Sequence, residues 1–425
     1  MRTGIPDTNK PRVVIIGCGF GGLQLAKALN NKDVQVVMID KNNYHSFQPL
    51  LYQVSTAGLE ADSIAYPIRK IFKGQKNFHF RWCEVKRIMP EQNEIETSVG
   101  NLNYDYLVIG TGTTTNFFGI EGLAEKAMPM KTVTEALNLR SLILQNFEKA
   151  LLTTNIKEQE ALMTFVIVGG GPTGVELAGA LCELKHHVLP ADYPELDLRK
   201  MRVMLVESGK EILQSMLPEN QQKSLDYLKK LGAEVWLDTR VTKYDGNLVQ
   251  TASGKEIYTA NLIWSAGVKG QTIEGLPSEV VARGRFICNE FNQVKGTENI
   301  FAIGDVALLQ HETLYPNGHP QVAPVAMQQG QLLAKNIIHK IEGKQLKPFT
   351  YFDKGSMATI GRNKAVVQIQ NMKFAGFFGW LVWMGLHLLM LVGFRNKIVV
   401  LINWIWNYIN YDRNIRLIIR PYERK

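Results

Sequence analysis

The sequence predicts an α/β chain with two Rossmann-like dinucleotide-binding domains and an α-helical C-terminal membrane-anchoring region. Three observations carry that expectation. Two glycine-rich fingerprints, each set between a buried-type strand and a helical pattern, lie about 150 residues apart. Each is followed by a strand ending in a carboxylate and then by a strand running into a glycine turn. The C-terminal region holds an uncharged run of 21 residues, 374–394, followed by aromatic and basic side chains.

The first fingerprint is Gly17-Cys18-Gly19-Phe20-Gly21-Gly22, after the apolar run Val13–Ile16 and before the helical pattern Leu23–Leu29. In such a motif the first glycine permits a tight turn, the second admits the pyrophosphate, and the third lets helix and strand close. The helix N-terminus then offers free N–H groups to the phosphates. The second strand, Val34–Ile39, ends at Asp40, 18 residues past Gly22. That placement suits a carboxylate accepting ribose hydroxyls; a strand-end carboxylate facing water is the alternative. Tyr104–Gly112 then reads as a strand entering the turn Thr111-Gly112.

A helical linker is expected over Val133–Leu152. The second fingerprint, Gly169-Gly170-Gly171-Pro172-Thr173-Gly174, follows Phe165–Val168 and opens Val175–Leu181. Its second strand, Met201–Val206, ends at Glu207 after an insertion of extended helix and loop between Cys182 and Lys200. Leu262–Gly267 repeats the glycine return, with Ala266 and Gly267 at its end. A carboxylate at Glu207 accepts from a 2′-hydroxyl and repels a 2′-phosphate, which predicts NADH over NADPH. Arg202 lies on the same strand but not at its end, so it does not read as a phosphate clamp.

Asn299–Asp305 is a short apolar strand ending in Gly304-Asp305. In flavoproteins of this shape that aspartate meets the flavin ribityl chain. The chain thus returns to its first domain, and the expected division is 1–125 and 271–345 for FAD, 126–270 for an inserted NADH domain, and 346–425 for the anchor. Two dinucleotides held face to face is the arrangement that passes a hydride from nicotinamide to flavin.

The tail supports two readings. Residues 374–394 are long enough to span a bilayer. Against a span, the run holds Gly376, Gly379, Gly385, Gly393 and His387. Apolar helices lying on a membrane surface, with Trp404, Trp406, Tyr408 and Tyr411 as interfacial residues, fit better. The basic end, Arg413, Arg416, Arg420, Arg424 and Lys425 against Asp412 and Glu423, suits anionic lipid. A buried core helix or a dimer interface is the bland alternative.

Composition bounds the rest. The 425 residues carry a formal net charge of +9, and no nucleic-acid motif accompanies it. The polar N-terminus has no apolar signal core, so export is not expected. Cys18, Cys83, Cys182 and Cys288 form no C-x-x-C pair, which argues for a reducing compartment and against dithiol chemistry. His186-His187 lacks a third ligand and reads as a solvated helix face; no metal is expected.

Glu176 follows Gly174 by two residues. One account is complementarity with the helix dipole in the first turn. The other is a carboxylate directed at the nicotinamide–flavin junction, bonding the nicotinamide amide or relaying protons. The sequence leaves both open.

Gly17–Gly22, His45–Tyr52, Gly169–Gly179, Gly304–Ala307, Gly393–Asn396 and Asn403-Trp404 together resemble the type II NADH:quinone oxidoreductases, over essentially the whole chain. The resemblance implies a glutathione-reductase-like, single-subunit, non-proton-pumping flavoenzyme. It implies noncovalent FAD held by Gly17, Gly19, Phe20, Gly21, Gly22, Asp40 and Lys41, with Val85, Thr111, Gly112, Gly304, Asp305, Ala326 and Met327. It places NADH on Gly169, Gly170, Gly171, Pro172, Thr173, Gly174, Glu207, Ala266 and Gly267, and makes Glu176 the catalytic carboxylate. Pro324, Met327 and Gln328 would line the quinone pocket; the family's first glutamine there is replaced by Pro324. The implied partners are menaquinone or ubiquinone, an anionic lipid surface and a second copy of the chain. The implied location is the cytoplasmic face of the cell inner membrane. A sulfide:quinone oxidoreductase or an NADH-sensing flavoprotein with little turnover are the rival readings.

Overall fold

The computed structural model describes residues 3–370, 372–411 and 415–423. The chain divides into two compact units, each built around its own parallel sheet.

The first unit comprises Met1–His45, Tyr66–Thr114 and Val268–Asp353. Its five-stranded sheet runs in the order Ile300–Ala302, Tyr106–Ile109, Arg12–Ile16, Gln35–Asp40, Phe78–Trp82. All neighbours are parallel, with Val13 opposite both Val36 and Tyr106. Val13, Val14 and Ile15 are fully buried, as a parallel strand covered on both faces must be. The helix Phe20–Ala28 packs on Ala323–Ile341 with almost no side chain between them, because a Cβ on Gly330 would strike the Gly21 carbonyl. A meander of Val85–Met89, Glu94–Thr97 and Gly100–Asn103 adds Ile88, Ile95 and Leu102 to the core.

The second unit comprises Ser46–Ala65, Thr115–Gly267 and Lys354–Lys425. Its parallel sheet runs Met128–Pro129, Asn261–Trp264, Thr164–Val168, Arg202–Val206, Glu234–Trp236. The expected helix over Val133–Leu152 is present and starts on a capping box, with the Glu135 amide donating to Thr132 Oγ1 at 3.2 Å. The expected insertion is a continuation: Pro172–Glu183 passes into a single wide π-helical turn, Leu184–Val188, and a last turn, Leu189–Asp192.

The tail corrects the spanning reading. Met372–Ala375 is a strand paired with Ala365–Ile369, so Phe374 lies in a sheet. The helix that follows, Gly376–Met390, has 15 residues. At 1.5 Å per residue that is about 22 Å, short of the roughly 30 Å hydrocarbon core. Leu391–Gly393 breaks the chain, and Phe394–Asn410 forms a second helix. Among the described residues no helix is long and apolar enough to cross a membrane.

This second helix buries one stripe and leaves a largely apolar face outward. Asn396, Val400 and Trp404, spaced i, i+4, i+8, are its buried residues. Asn396 Nδ2 donates to the carbonyls of Asp62, Ser63 and Ala65 at 2.9, 3.1 and 3.3 Å. Ile402, Ile405, Trp406 and Ile409 are more than half exposed. Trp404 departs from its expected interfacial place: it is buried, and its indole N–H donates to Gln53 Oε1 at 2.8 Å. Arg416 pairs with Asp192, while Asp412, Arg413, Arg424 and Lys425 lie outside the described residues.

Candidate active site

The two glycine loops repeat one geometry. Gly17 at φ +99° and Gly169 at φ +110° turn the chain through the left-handed region. Each presses on its glycine return, Gly17 on Gly110 and Gly169 on Ser265 and Ala266. A Cβ on Gly22 would strike the Gly17 carbonyl, and one on Gly174 would strike the Gly169 carbonyl. Gly19 and Gly171 are different: a Cβ on either would meet nothing within 4 Å. Each is the N-cap of its helix, with no side chain capping it. Open space beside uncapped N–H groups is what a pyrophosphate requires. The residues present therefore fit one dinucleotide in each unit.

The acidic strand ends also match. Asp40 Oδ2 accepts from the Cys18 amide at 2.6 Å and Oδ1 from Asn42 at 2.7 Å. Burial raises the Asp40 carboxyl, and those amides draw it back. Glu207 Oε2 accepts from Gly170 at 2.6 Å and Oε1 from Gly209 at 2.6 Å. Each carboxylate is oriented by the amide of its own glycine loop and keeps lone pairs for ribose hydroxyls. Lys41 follows Asp40, and Val85 lies three residues past Trp82, the residue opposite Asp40 in the sheet.

Thr111 and Gly112 sit at the return, where Thr111 Oγ1 donates to Gln271 O at 2.5 Å and the Gly112 carbonyl accepts from Gln271 N at 2.9 Å. Gly304–Val306 is a 3₁₀ turn. Its Gly304 amide donates to Gln329 Oε1 at 2.7 Å, and Asp305 Oδ2 accepts from Thr113 Oγ1 at 3.2 Å. Ala326 lies beneath it: a Cβ on Gly304 would meet the Ala326 Cβ at 3.1 Å. Pro324, Met327 and Gln328 fall on one face of the helix Ala323–Ile341, all half-buried. The Gln328 amide is partly committed: Nε2 donates to Phe352 O at 2.9 Å and Oε1 accepts from Phe352 N at 3.1 Å.

Glu176 is the fifth residue of Pro172–Glu183, so it stands in the second turn, not the first. The dipole account falls on that placement and on its chemistry. The carboxyl is buried, and burial pushes its pKa up to about 8, with the Thr359 amide and the Trp383 indole drawing it partly back. A neutral carboxyl gains little from a helix dipole. Glu176 Oε1 accepts from the Thr359 amide at 3.4 Å.

Glu176 lines a pocket of about 760 Å³, counting its open mouth, within the second unit. Trp380, Trp383, Met384 and Trp404 supply apolar wall, and Tyr52, Gln53 and Asn407 supply polar groups. Trp383 stacks on His387 with centroids 4.0 Å apart. Burial lowers His387 to about 4, so it is neutral, and its Nδ1 bonds the Trp383 carbonyl at 2.8 Å. Sequence reasoning missed this wall. Its members come from separate stretches, and only the aromatic density of the tail hinted at it.

The four cysteines are buried and free, and burial raises every thiol. None is poised as a thiolate nucleophile.

Residues 11–330 match the family described as pyridine nucleotide-disulphide oxidoreductase, and residues 354–411 match the NDH2 C-terminal domain. The chain is 39% identical over 411 residues to the type II NADH:quinone oxidoreductase NdhA of Mycobacterium tuberculosis, covering 92% of this chain and 86% of that one. It is 36% identical over 418 residues to Ndh of the same organism, covering 95% and 89%. The chain belongs to the type II NADH:quinone oxidoreductases. Like that family it is an FAD-dependent enzyme with NADH as substrate and a quinone as acceptor. The fold is that of NDH2 from Plasmodium falciparum, at a TM-score of 0.87 and 21% identity over 97% of this chain and all of that one. A sulfide:quinone oxidoreductase from Aquifex aeolicus shares the fold at a TM-score of 0.70 and 19% identity, covering 91% and 92%. Family membership, with no poised thiolate among the cysteines, sets the sulfide reading aside.

Proposed function

We propose that the first unit's cradle holds FAD on Gly17–Gly22, Asp40, Lys41, Val85, Thr111, Gly112, Gly304, Asp305, Ala326 and Met327, and that the second's holds NADH on Gly169–Gly174, Glu207, Ala266 and Gly267. The domain division 1–125, 126–270, 271–345 and 346–425 belongs to the same reading. Bound FAD supplies the two-electron chemistry between NADH and quinone. The protein's part is to bind and orient. Asp40 and Glu207 fix the adenosine riboses, the open faces of Gly19 and Gly171 seat the phosphates, and the Glu207 charge turns away a 2′-phosphate.

The observation that carries the mechanism is the buried Glu176 in an aromatic pocket, where burial pushes its pKa up to about 8. Quinone reduction consumes protons, and a carboxyl with a pKa near 8 holds one at physiological pH. We assign Glu176 to delivering that proton from Oε1 or Oε2, while Trp383 and Trp404 exclude water. Pro324, Met327 and Gln328 contact the quinone, menaquinone or ubiquinone. Pro324 offers no amide to a quinone carbonyl, which leaves Gln328 as the side-chain donor of that segment.

The outward Phe378, Leu389, Phe394, Ile402 and Ile409, all well exposed, are read as the face that lies on lipid. The enzyme then works as a peripheral protein on the cytoplasmic face of the inner membrane, as a homodimer, without pumping protons. Steady-state turnover of Glu176→Gln with NADH and a short-chain quinone tests the reading. Loss of turnover with FAD retained supports it, and wild-type turnover sinks it.

A further inference from the structure

Phe118 is a bulky side chain in a backbone position that disfavours one. Phe117–Ile120 is a tight turn closed by the Ile120 amide on the Phe117 carbonyl at 3.1 Å. Its central residues, Phe118 at φ +53° and Gly119 at φ +73°, both lie in the left-handed region. That is the pattern of a type I′ turn, whose first central place favours Asn, Asp or Gly. Here the place is held by a phenylalanine that is 63% exposed. Backbone preference does not explain it, and its packing is limited: one side of the ring meets Trp264, centroids 6.4 Å apart at 59°, and most of the residue stays exposed.

The surrounding bonds fix the turn that carries the ring. The Phe118 amide donates to Asn116 Oδ1 at 2.9 Å, the Trp264 indole N–H donates to the Asn116 carbonyl at 2.8 Å, and the Asn116 amide donates to the Gly267 carbonyl at 3.3 Å. The ring ends directly on Gly267, where a Cβ would meet Phe118 Cζ at 2.6 Å.

Strand order says which part of a dinucleotide passes there. Asn261–Trp264, Thr164–Val168 and Arg202–Val206 are parallel neighbours in that order. Ligands of such sheets lie across the carboxyl ends of the strands. Glu207 follows the third strand, the open Gly171 loop follows the second, and Gly267 follows the first. With the adenosine ribose on Glu207 and the pyrophosphate at Gly171, the nicotinamide riboside runs toward Gly267 and the free face of Phe118.

We propose that Phe118 is a positioning residue for the nicotinamide half of NADH, a stacking platform held out by the 116–119 turn. This rests on the assignment of the NADH site to the second unit. A flat conjugated ring gains from an offset or edge-on aromatic neighbour, and the platform selects for the presence of that ring.

The test measures binding of NAD⁺ and of ADP-ribose, which lacks the nicotinamide, to the FAD-loaded protein by calorimetry. Phe118→Ala should weaken NAD⁺ by about three- to tenfold and leave ADP-ribose unchanged. Phe118→Tyr should restore NAD⁺ binding. Gly171→Val, which fills the phosphate space, should weaken both ligands. If Gly171→Val leaves both intact, the NADH site itself is misassigned. If Gly171→Val weakens both but Phe118→Ala changes neither, or both equally, the platform is refuted and the turn is only structural. Failure of Phe118→Tyr to restore binding also overturns it.

Discussion

The backbone amide of Thr359 donates to the carboxyl of Glu176 at 3.4 Å, across 183 residues of chain. The bond joins the second nucleotide helix to the first strand of the sheet that leads into the C-terminal helices. It places the titrating group of the mechanism where the tail begins.

Glu176 should control both turnover and pH-dependent stability. Burial raises its pKa in the folded protein from 4.5 to about 8, so folding takes up a proton between those values. The unfolded chain binds fewer protons there, and stability therefore falls as pH rises from about 4.5 to about 8. Glu176→Gln should flatten that fall in thermal denaturation at a series of pH values. The same variant should lose quinone-dependent turnover by on the order of 100-fold with FAD absorbance intact.

The third glycines should separate the two cradles. Gly174→Ala forces a Cβ onto the Gly169 carbonyl, while nothing in the first unit's loop changes. Overpacking of this kind costs about 1–3 kcal/mol. The variant should be isolated with FAD bound and should bind NAD⁺ poorly. Gly22→Ala should do the reverse and be isolated depleted of flavin. The ratio of flavin to protein absorbance, read beside NAD⁺ calorimetry, checks both.

Glu207 should set the choice between NADH and NADPH. Its carboxylate is held by Gly170 and Gly209, so it cannot swing far from an incoming 2′-phosphate. Glu207→Gln should narrow the preference in kcat/KM roughly tenfold, about 1.4 kcal/mol of repulsion removed at a partly exposed site. An unchanged ratio would locate discrimination elsewhere.

The outward face of the second tail helix should bind membranes and little else. Ile402→Asp with Ile409→Asp alters two exposed side chains, 58% and 69% accessible, that carry no hydrogen-bonding group. Co-sedimentation with vesicles containing anionic lipid should drop sharply, while NADH oxidation with a water-soluble quinone persists. Asn396→Ala is the opposite case. It strands the buried Ser63 carbonyl and the part-buried carbonyls of Asp62 and Ala65, costs about 1–3 kcal/mol, and should lower Tm without changing the lipid-facing surface.

Much of this was legible because it is local. A glycine fingerprint, the strand before it and the carboxylate after it lie within a few tens of residues, and their backbone demands are met by neighbours in sequence. The Val133–Leu152 helix was legible for the same reason, with its cap and its apolar period both written in place. The tail was not. Hydropathy marks residues 374–394 as one apolar run, but Phe374 is claimed by a strand partner, Val367, and the chain breaks before Phe394. The inward turn of Asn396 and Trp404 depends on acceptors more than 300 residues away. The raised pKa of Glu176 depends on burial by segments that no spacing rule connects.

Two electrons pass from NADH through bound flavin to quinone. Anaerobic double-mixing stopped-flow absorbance tests it most directly, adding NADH first and a short-chain quinone second. Rapid loss of the flavin band followed by rapid recovery is expected, with Glu176→Gln retaining the first phase and slowing the second. Bleaching that quinone fails to reverse in the wild-type protein, or no bleaching by NADH, would contradict it.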